Sequence, residues 1–173
     1  MAARRTAAIS VLGLAMLLGT VACGDHNRVA DCGTPHLSWK LTRTADKGRG
    51  APAAVLSARN TGSQPCAFDG YPELEARVGK AQGTTSKPKK GKATRVVLNP
   101  DHTVGFPVFY HPDVARDGYC FITGDLHPSL YVSPPHPARH DYGTSTQLTD
   151  AKGHHLDAQI CDDPIKIGPP QPH

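Results

Sequence analysis

Beyond residue 36 the chain alternates. Leu37, Trp39 and Leu41 fall on one side of an extended segment and Ser38, Lys40 and Thr42 on the other, the period of two expected of a half-buried strand. The same parity returns in Leu74, Ala76 and Val78 against Glu73, Glu75 and Arg77, and again in Val104, Phe106, Val108 and Tyr110. Further short apolar runs lie at Ala53–Ala58, Arg95–Leu98, Tyr119–Ile122, Ser129–Val132 and Ala158–Ile160. Between them stand Asn60-Thr61-Gly62, Asp69-Gly70-Tyr71-Pro72, Asn99-Pro100-Asp101, Asp117-Gly118 and Pro134-Pro135. Gly supplies the positive backbone angles of tight turns, Pro fixes one angle and removes a donor, and Asn or Asp closes the turn with its side chain. No amphipathic run at a spacing of 3.6 is long enough for a long helix. The pattern predicts an all-β fold, an antiparallel immunoglobulin-like β-sandwich with two disulfides, preceded by a helical signal peptide.

That leader is the segment Met1–Ala22. Arg4 and Arg5 precede a run, Ala7–Leu18, without a charged residue, a basic region followed by an apolar core. About a dozen residues is short of the roughly 20 that a spanning helix needs. Thr20-Val21-Ala22-Cys23 resembles a lipobox, with Thr20 where lipoproteins usually carry Leu. The resemblance implies cleavage before Cys23 and a diacylglyceryl thioether on its sulfur. Two or more acyl chains, each methylene worth about 0.8 kcal/mol, hold a protein at a membrane as one chain does not.

Five cysteines are an odd set for an exported protein, and lipidation of Cys23 accounts for one. Cys32, Cys66, Cys120 and Cys161 remain, in a compartment where disulfides persist. Three pairings are open to four cysteines, and the sequence alone does not choose among them. The expected one joins Cys32 to Cys66, tying the N-terminal segment to an early turn, and Cys120 to Cys161, tying the C-terminal segment to a middle strand. Each would contribute about 3–4 kcal/mol through loop closure. No two of the four are closer than 34 positions, whereas zinc and thiol redox sites place cysteines in close pairs.

The expected organisation is a signal peptide over 1–22, a short tether over 23–31, one sandwich domain over 32–167 and a disordered tail over 168–173. The tether would keep the domain close to the membrane. Of 19 Lys and Arg, Arg4 and Arg5 leave with the leader, so 17 remain against 15 Asp and Glu, a net +2. That charge gives no case for nucleic-acid binding. The one basic cluster, Lys87–Lys92, sits among Gly, Thr, Ser and Pro and reads as a solvated loop tip.

Ten histidines are the only feature that raises metal or catalytic chemistry. Neither His-x-His nor a helical H-E-x-x-H occurs. His136 and His140 are four apart, with Pro137 between them. His154-His155 follows Gly153 in a turn, and both methionines, Met1 and Met16, lie in the leader, away from any copper site. There is no G-x-S-x-G elbow or S-x-x-K box. Asp162-Asp163, between Cys161 and Pro164, reads as a turn. No catalytic, cofactor-binding or metal-ligating residue is assigned, and the expectation is a protein that is not an enzyme.

The segment Asn60–Pro72, NTGSQPCAFDGYP, has an N-x-G turn before P-C and then G-Y-P. With Cys32, the strand ending in Leu98, Cys120, Leu130–Pro135 (LYVSPP) and Cys161, it resembles the domain-of-unknown-function 4232 family over roughly Cys32 to Ile167. Asn99-Pro100-Asp101 departs from the proline-glycine turn of many relatives. The resemblance implies a β-sandwich on exported, often lipidated proteins, and no established activity. The resulting expectation is a lipoprotein on the outer face of the cell membrane, presenting a non-catalytic interaction domain to a protein, glycan or cell-wall partner. An extracytoplasmic His-dependent copper or zinc protein, and an unrecognised envelope hydrolase, are the alternatives.

Overall fold

The computed structural model describes residues 28–45, 48–78, 81–91, 93–111, 120–122 and 128–172. The leader 1–22, Cys23 and the first part of the tether lie outside them.

A 3-10 turn, Thr34–His36, precedes fourteen strands among the described residues: β1 (Leu37–Arg43), β2 (Ala54–Asn60), β3 (Cys66–Phe68), β4 (Glu73–Val78), β5 (Ala81–Thr85), β6 (Lys87–Pro88), β7 (Val96–Leu98), β8 (Thr103–His111), β9 (Cys120–Ile122), β10 (Pro128–Ser133), β11 (Thr144–Thr146), β12 (Leu148–Thr149), β13 (Gln159–Ile167) and β14 (Gln171–Pro172). One sheet runs β12-β1-β2-β8-β13-β6, with β9 on β13 and β14 on β8. A second runs β11-β10-β4-β5, and β3 pairs with β7 separately. Most pairs are antiparallel, as expected. Two are parallel, Leu41 beside Leu148 and Lys166 beside Lys87, and they join segments too distant in sequence for a hairpin.

The sandwich follows from where the apolar parity points. Leu41, Leu56, Phe106, Val108 and Ile165 from the large sheet meet Leu74, Ala76, Leu130 and Val132 from the second sheet in one core. Phe68 lies in the same core, 5.5 Å from the ring of Phe106 and edge-on to Trp39 at 5.9 Å. Each such large side chain contributes about 1.5–3 kcal/mol by leaving water. Ser38 and Lys40 on the opposite face of β1 are exposed.

Cys32 bonds to Cys66 and Cys120 to Cys161, the pairing expected, with Cα separations of 4.8 and 4.1 Å. Cys120 and Cys161 stand directly opposite each other in the β9–β13 ladder. The chain is held to the domain from Arg28 onward. Arg95 donates to the Val29 carbonyl at 2.7 Å, Ala67 N–H to Ala30 at 2.8 Å and Cys32 N–H to Ala67 at 2.9 Å.

Two expectations change. The tail over 168–173, expected to be disordered, is ordered through Pro172. Gly168 N–H donates to Pro107 at 2.8 Å, and β14 pairs Gln171 with Gly105 and Pro172 with Val104. After Ile167 pairs with Val108, the tail continues along the same edge of β8 and satisfies main-chain groups that would otherwise be unpaired. The basic cluster is likewise pinned in part. Lys87–Pro88 forms β6 against β13, and the Lys89 ammonium lies 3.3 Å from the centre of the Phe109 ring, while Lys90 stays exposed.

Candidate functional site

On β4, Leu74 and Ala76 face the core, which puts Glu73, Glu75 and Arg77 on the outer face of the second sheet. On β10, Tyr131 stands opposite Glu75 and Ser133 opposite Glu73, so these join the same face. That face was expected to be open to water. Instead Glu75 is buried, with 4% exposure. The strand residues form the base of a cleft of about 420 Å³ whose sides come from Gly70-Tyr71, Pro88 and the segment from Pro134 to Tyr142. Tyr142 is 75% exposed at its rim.

The base is electrostatically matched yet incompletely bonded. Arg77 Nη2 lies 2.6 Å from Glu75 Oε2, and the Arg77 guanidinium carbon is 4.4 Å from the centre of the Tyr131 ring. The bond to Glu75 raises the arginine pKa above its ordinary value. The other carboxylate oxygen, Glu75 Oε1, is shut off from solvent and has no hydrogen-bond partner among the described residues. A buried polar atom in that condition costs about 1–3 kcal/mol. Beside it β5 carries an extra residue between the Glu75–Thr85 and Arg77–Gln82 pairs. Gly83 sits in this bulge against the Ala76 carbonyl, where a side chain would collide.

The loop side is braced by specific contacts. Gly70 has φ +139°, and a Cβ added there would come within 3.1 Å of Pro135. His136 Nε2–H donates to the Asp69 carbonyl at 2.9 Å, which assigns the tautomer, and Arg95 holds the Asp69 carboxylate at 3.4 Å. Tyr71 donates its hydroxyl to Gly91 at 3.1 Å. Asp141 accepts from Thr34 N–H at 3.2 Å and Gly143 N–H at 3.0 Å. Burial raises its pKa, but hydrogen bonds from Thr34 and Gly143 outweigh that, and the net shift is downward. His136 and His140 adopt left-handed backbone angles, φ 54° and 70°. Such strain in non-glycine residues gathers at functional sites.

The residues singled out by sequence divide between structure and cleft. Asn60 is fully buried. Its amide donates to Gln64 at 2.8 Å and Leu98 at 3.0 Å, and its oxygen accepts from Gly62 at 2.9 Å. The N-x-G turn is therefore a hub that fixes the end of the large sheet. Cys23, His26, His127 and His173 lie outside the described residues, as does the Asp117-Gly118 turn. His154 bonds to Asp150 at 2.9 Å in its own turn, away from His136 and His140. No group of three or more His, Cys, Asp or Glu residues is placed to hold a metal ion among the described residues.

Sequence parity alone missed Glu75. Its place between Leu74 and Ala76 is that of an ordinary solvent-facing residue, and the loop that covers it comes from more than fifty positions away. The signal that was available is motif convergence: Gly70-Tyr71-Pro72 and Leu130–Pro135, two of the segments behind the family resemblance, both line this cleft or support its lining.

Among the described residues, no helix is long and apolar enough to cross a membrane. No curated protein and no solved structure matches the chain. A family model described as Domain of unknown function (DUF4232) matches residues 32–165. The chain belongs to the DUF4232 family of domains of unknown function.

Proposed function

We propose that this protein is a cell-envelope lipoprotein, anchored through Cys23 to the outer face of the membrane, and that its sandwich presents a non-catalytic binding cleft on the β4–β10 sheet. Two disulfides support a location outside the reducing cytoplasm. The observation that carries the binding role is the cleft itself, lined by tyrosine and proline over the paired Glu75 and Arg77, the combination of apolar wall and a few convergent polar groups that small-ligand sites use. A binding role is favoured over turnover because the two carboxylates with fixed geometry are already engaged. Glu75 is tied to Arg77, and Asp141 holds two main-chain N–H groups.

Arg28 lies 3.6 Å from Asp69, so the tether meets the domain beside the cleft. Four residues lie between Cys23 and Arg28, five steps of chain that reach at most about 18 Å, and Asp69 adjoins the Gly70 wall of the cleft. A lipid on Cys23 would hold this side of the domain near the membrane. Detergent phase partition tests the anchor: the native protein enters the detergent phase, and Cys23→Ala is released or misprocessed, so unchanged partition of that variant contradicts lipidation. Co-sedimentation with isolated envelope tests the cleft in the released form of that variant. Adding Ser133→Trp, which fills the cleft, abolishes co-sedimentation, whereas retained sedimentation with a filled cleft contradicts the proposal.

A further inference from the structure

We infer that the Cys120–Cys161 disulfide is a thiol–disulfide exchange site, at which a dithiol attacks Cys120 Sγ and Cys161 is the leaving sulfur. The inference is independent of the cleft and of any ligand it holds.

The two disulfides sit in different surroundings. Cys32 and Cys66 belong to the hydrophobic core, 3% and 9% exposed. Cys120 and Cys161 do not. In the β9–β13 ladder Ile160 stands opposite Phe121 and both enter the core, so Cys161 and Cys120, one position along, lie on the outer face of the large sheet. Gln159, two residues before Cys161 on that face, is exposed, and so is His111, which stands opposite Cys161 on β8. His111, Cys161 and Cys120 therefore form one row across β8, β13 and β9. Directly opposed residues have Cβ atoms about 4.5–5.5 Å apart, which brings the His111 imidazole within reach of the Cys161 sulfur.

The row distinguishes the attacked sulfur from the leaving one. Cys161 is fully buried and Cys120 is half-buried, so an entering thiolate reaches Cys120. Gln159 Nε2–H donates to Cys161 Sγ at 3.6 Å and to Cys120 Sγ at 3.7 Å. A donor on the departing sulfur favours its release as thiolate, and His111 is a proton source beside it. The incoming thiolate bonds to Cys120 Sγ as the Cys120–Cys161 bond breaks, and the electron pair goes to Cys161 Sγ, which takes up a proton. The second thiol of the dithiol then displaces Cys120 from the mixed disulfide. The products are the oxidised dithiol and two cysteine thiols, and β9 loses its covalent tie to β13.

The full chain is first treated with N-ethylmaleimide to block free thiols. Limiting dithiothreitol is then added under native conditions, and new thiols are alkylated with iodoacetamide and mapped by mass spectrometry. Cys120 and Cys161 are expected to react at least about tenfold faster than Cys32 and Cys66, because exposed disulfides are the labile ones. In denaturing urea the two disulfides reduce at similar rates, which assigns the native difference to the fold. Glutathione, a monothiol, is trapped on Cys120. Gln159→Leu and His111→Gln, both at exposed positions, slow native reduction about two- to tenfold each and leave the rate in urea unchanged. The inference is overturned if Cys32–Cys66 reduces as fast as Cys120–Cys161 in the native chain, if glutathione is trapped on Cys161, or if neither substitution slows native reduction.

Discussion

Arg77 Nη2 meets Glu75 Oε2 at 2.6 Å on the outer face of β4, and the two partners differ in burial: 33% of the arginine side chain is exposed but only 6% of the glutamate. Their removal is therefore not symmetric. Arg77→Met leaves a buried carboxylate with neither oxygen paired and costs about 2–4 kcal/mol, because an uncompensated buried charge is the expensive half of such a pair. Glu75→Gln leaves a guanidinium that can turn to water and costs about 1 kcal/mol. Urea unfolding of both variants measures the difference, and equal losses would contradict the burial assigned to Glu75.

Asn60 makes three side-chain hydrogen bonds at zero exposure. Asn60→Ala leaves the Leu98 carbonyl and the Gly62 N–H without their partner and lowers stability by about 2–4 kcal/mol. The same variant leaves the cleft's tyrosine resonances where they were, since Asn60 serves the end of the large sheet. A loss under about 1 kcal/mol in denaturant unfolding would show that water replaces those bonds readily.

Asp101 holds φ 66° in the turn closed by His102 N–H on Asn99 at 3.1 Å. A left-handed angle costs an L residue about 1–2 kcal/mol, somewhat less for Asp. The Arg59–Asp101 pair at 2.8 Å is exposed on both sides, 55% and 77%, and is worth about 0–1 kcal/mol. Asp101→Gly consequently leaves the thermal midpoint unchanged or raises it. Asp101→Val, β-branched at a left-handed position, lowers it. A clear drop in the glycine variant would assign the ion pair more weight than its exposure allows.

The pKa of Asp141 lies below its ordinary 3.8 because, against the opposing effect of burial, the folded chain bonds its charged form through Thr34 and Gly143. A depressed folded pKa stabilises the protein above the unfolded value, and that contribution is lost as pH falls through the folded value. The thermal midpoint is therefore expected to fall on acidification below about pH 4. Asp150, held low by its bond to His154, acts in the same direction. Asp141→Asn shows a shallower fall over that window; an unaltered acid limb would assign the loss to other carboxylates.

Period-two parity read β1 correctly because that strand packs one face on the core and shows the other to water, whereas in β8 every residue from Val104 to Val108 is buried and the parity marks only where the large apolar side chains go. The cysteine pairing was one of three that the sequence left open, and the structure joins Cys32 to Cys66 and Cys120 to Cys161. Glu75 was not legible, since its burial depends on a loop contributed by residues near 134–142, and no local pattern reports a cover that arrives from elsewhere. β14 was missed for a similar reason. Gly168-Pro169-Pro170 reads as a break, yet the free edge of β8 captures the residues that follow it.

The central claim is that the outer face of β4 and β10 is the surface this protein uses. It is tested most directly by comparing aromatic carbon–proton spectra of the full chain before and after addition of solubilised envelope. The account predicts shifts concentrated on Tyr71, Tyr131, His136 and Tyr142, with Trp39 and Tyr110 on the large sheet unmoved. Shifts centred on Trp39 or Tyr110, with the four cleft rings silent, would contradict it.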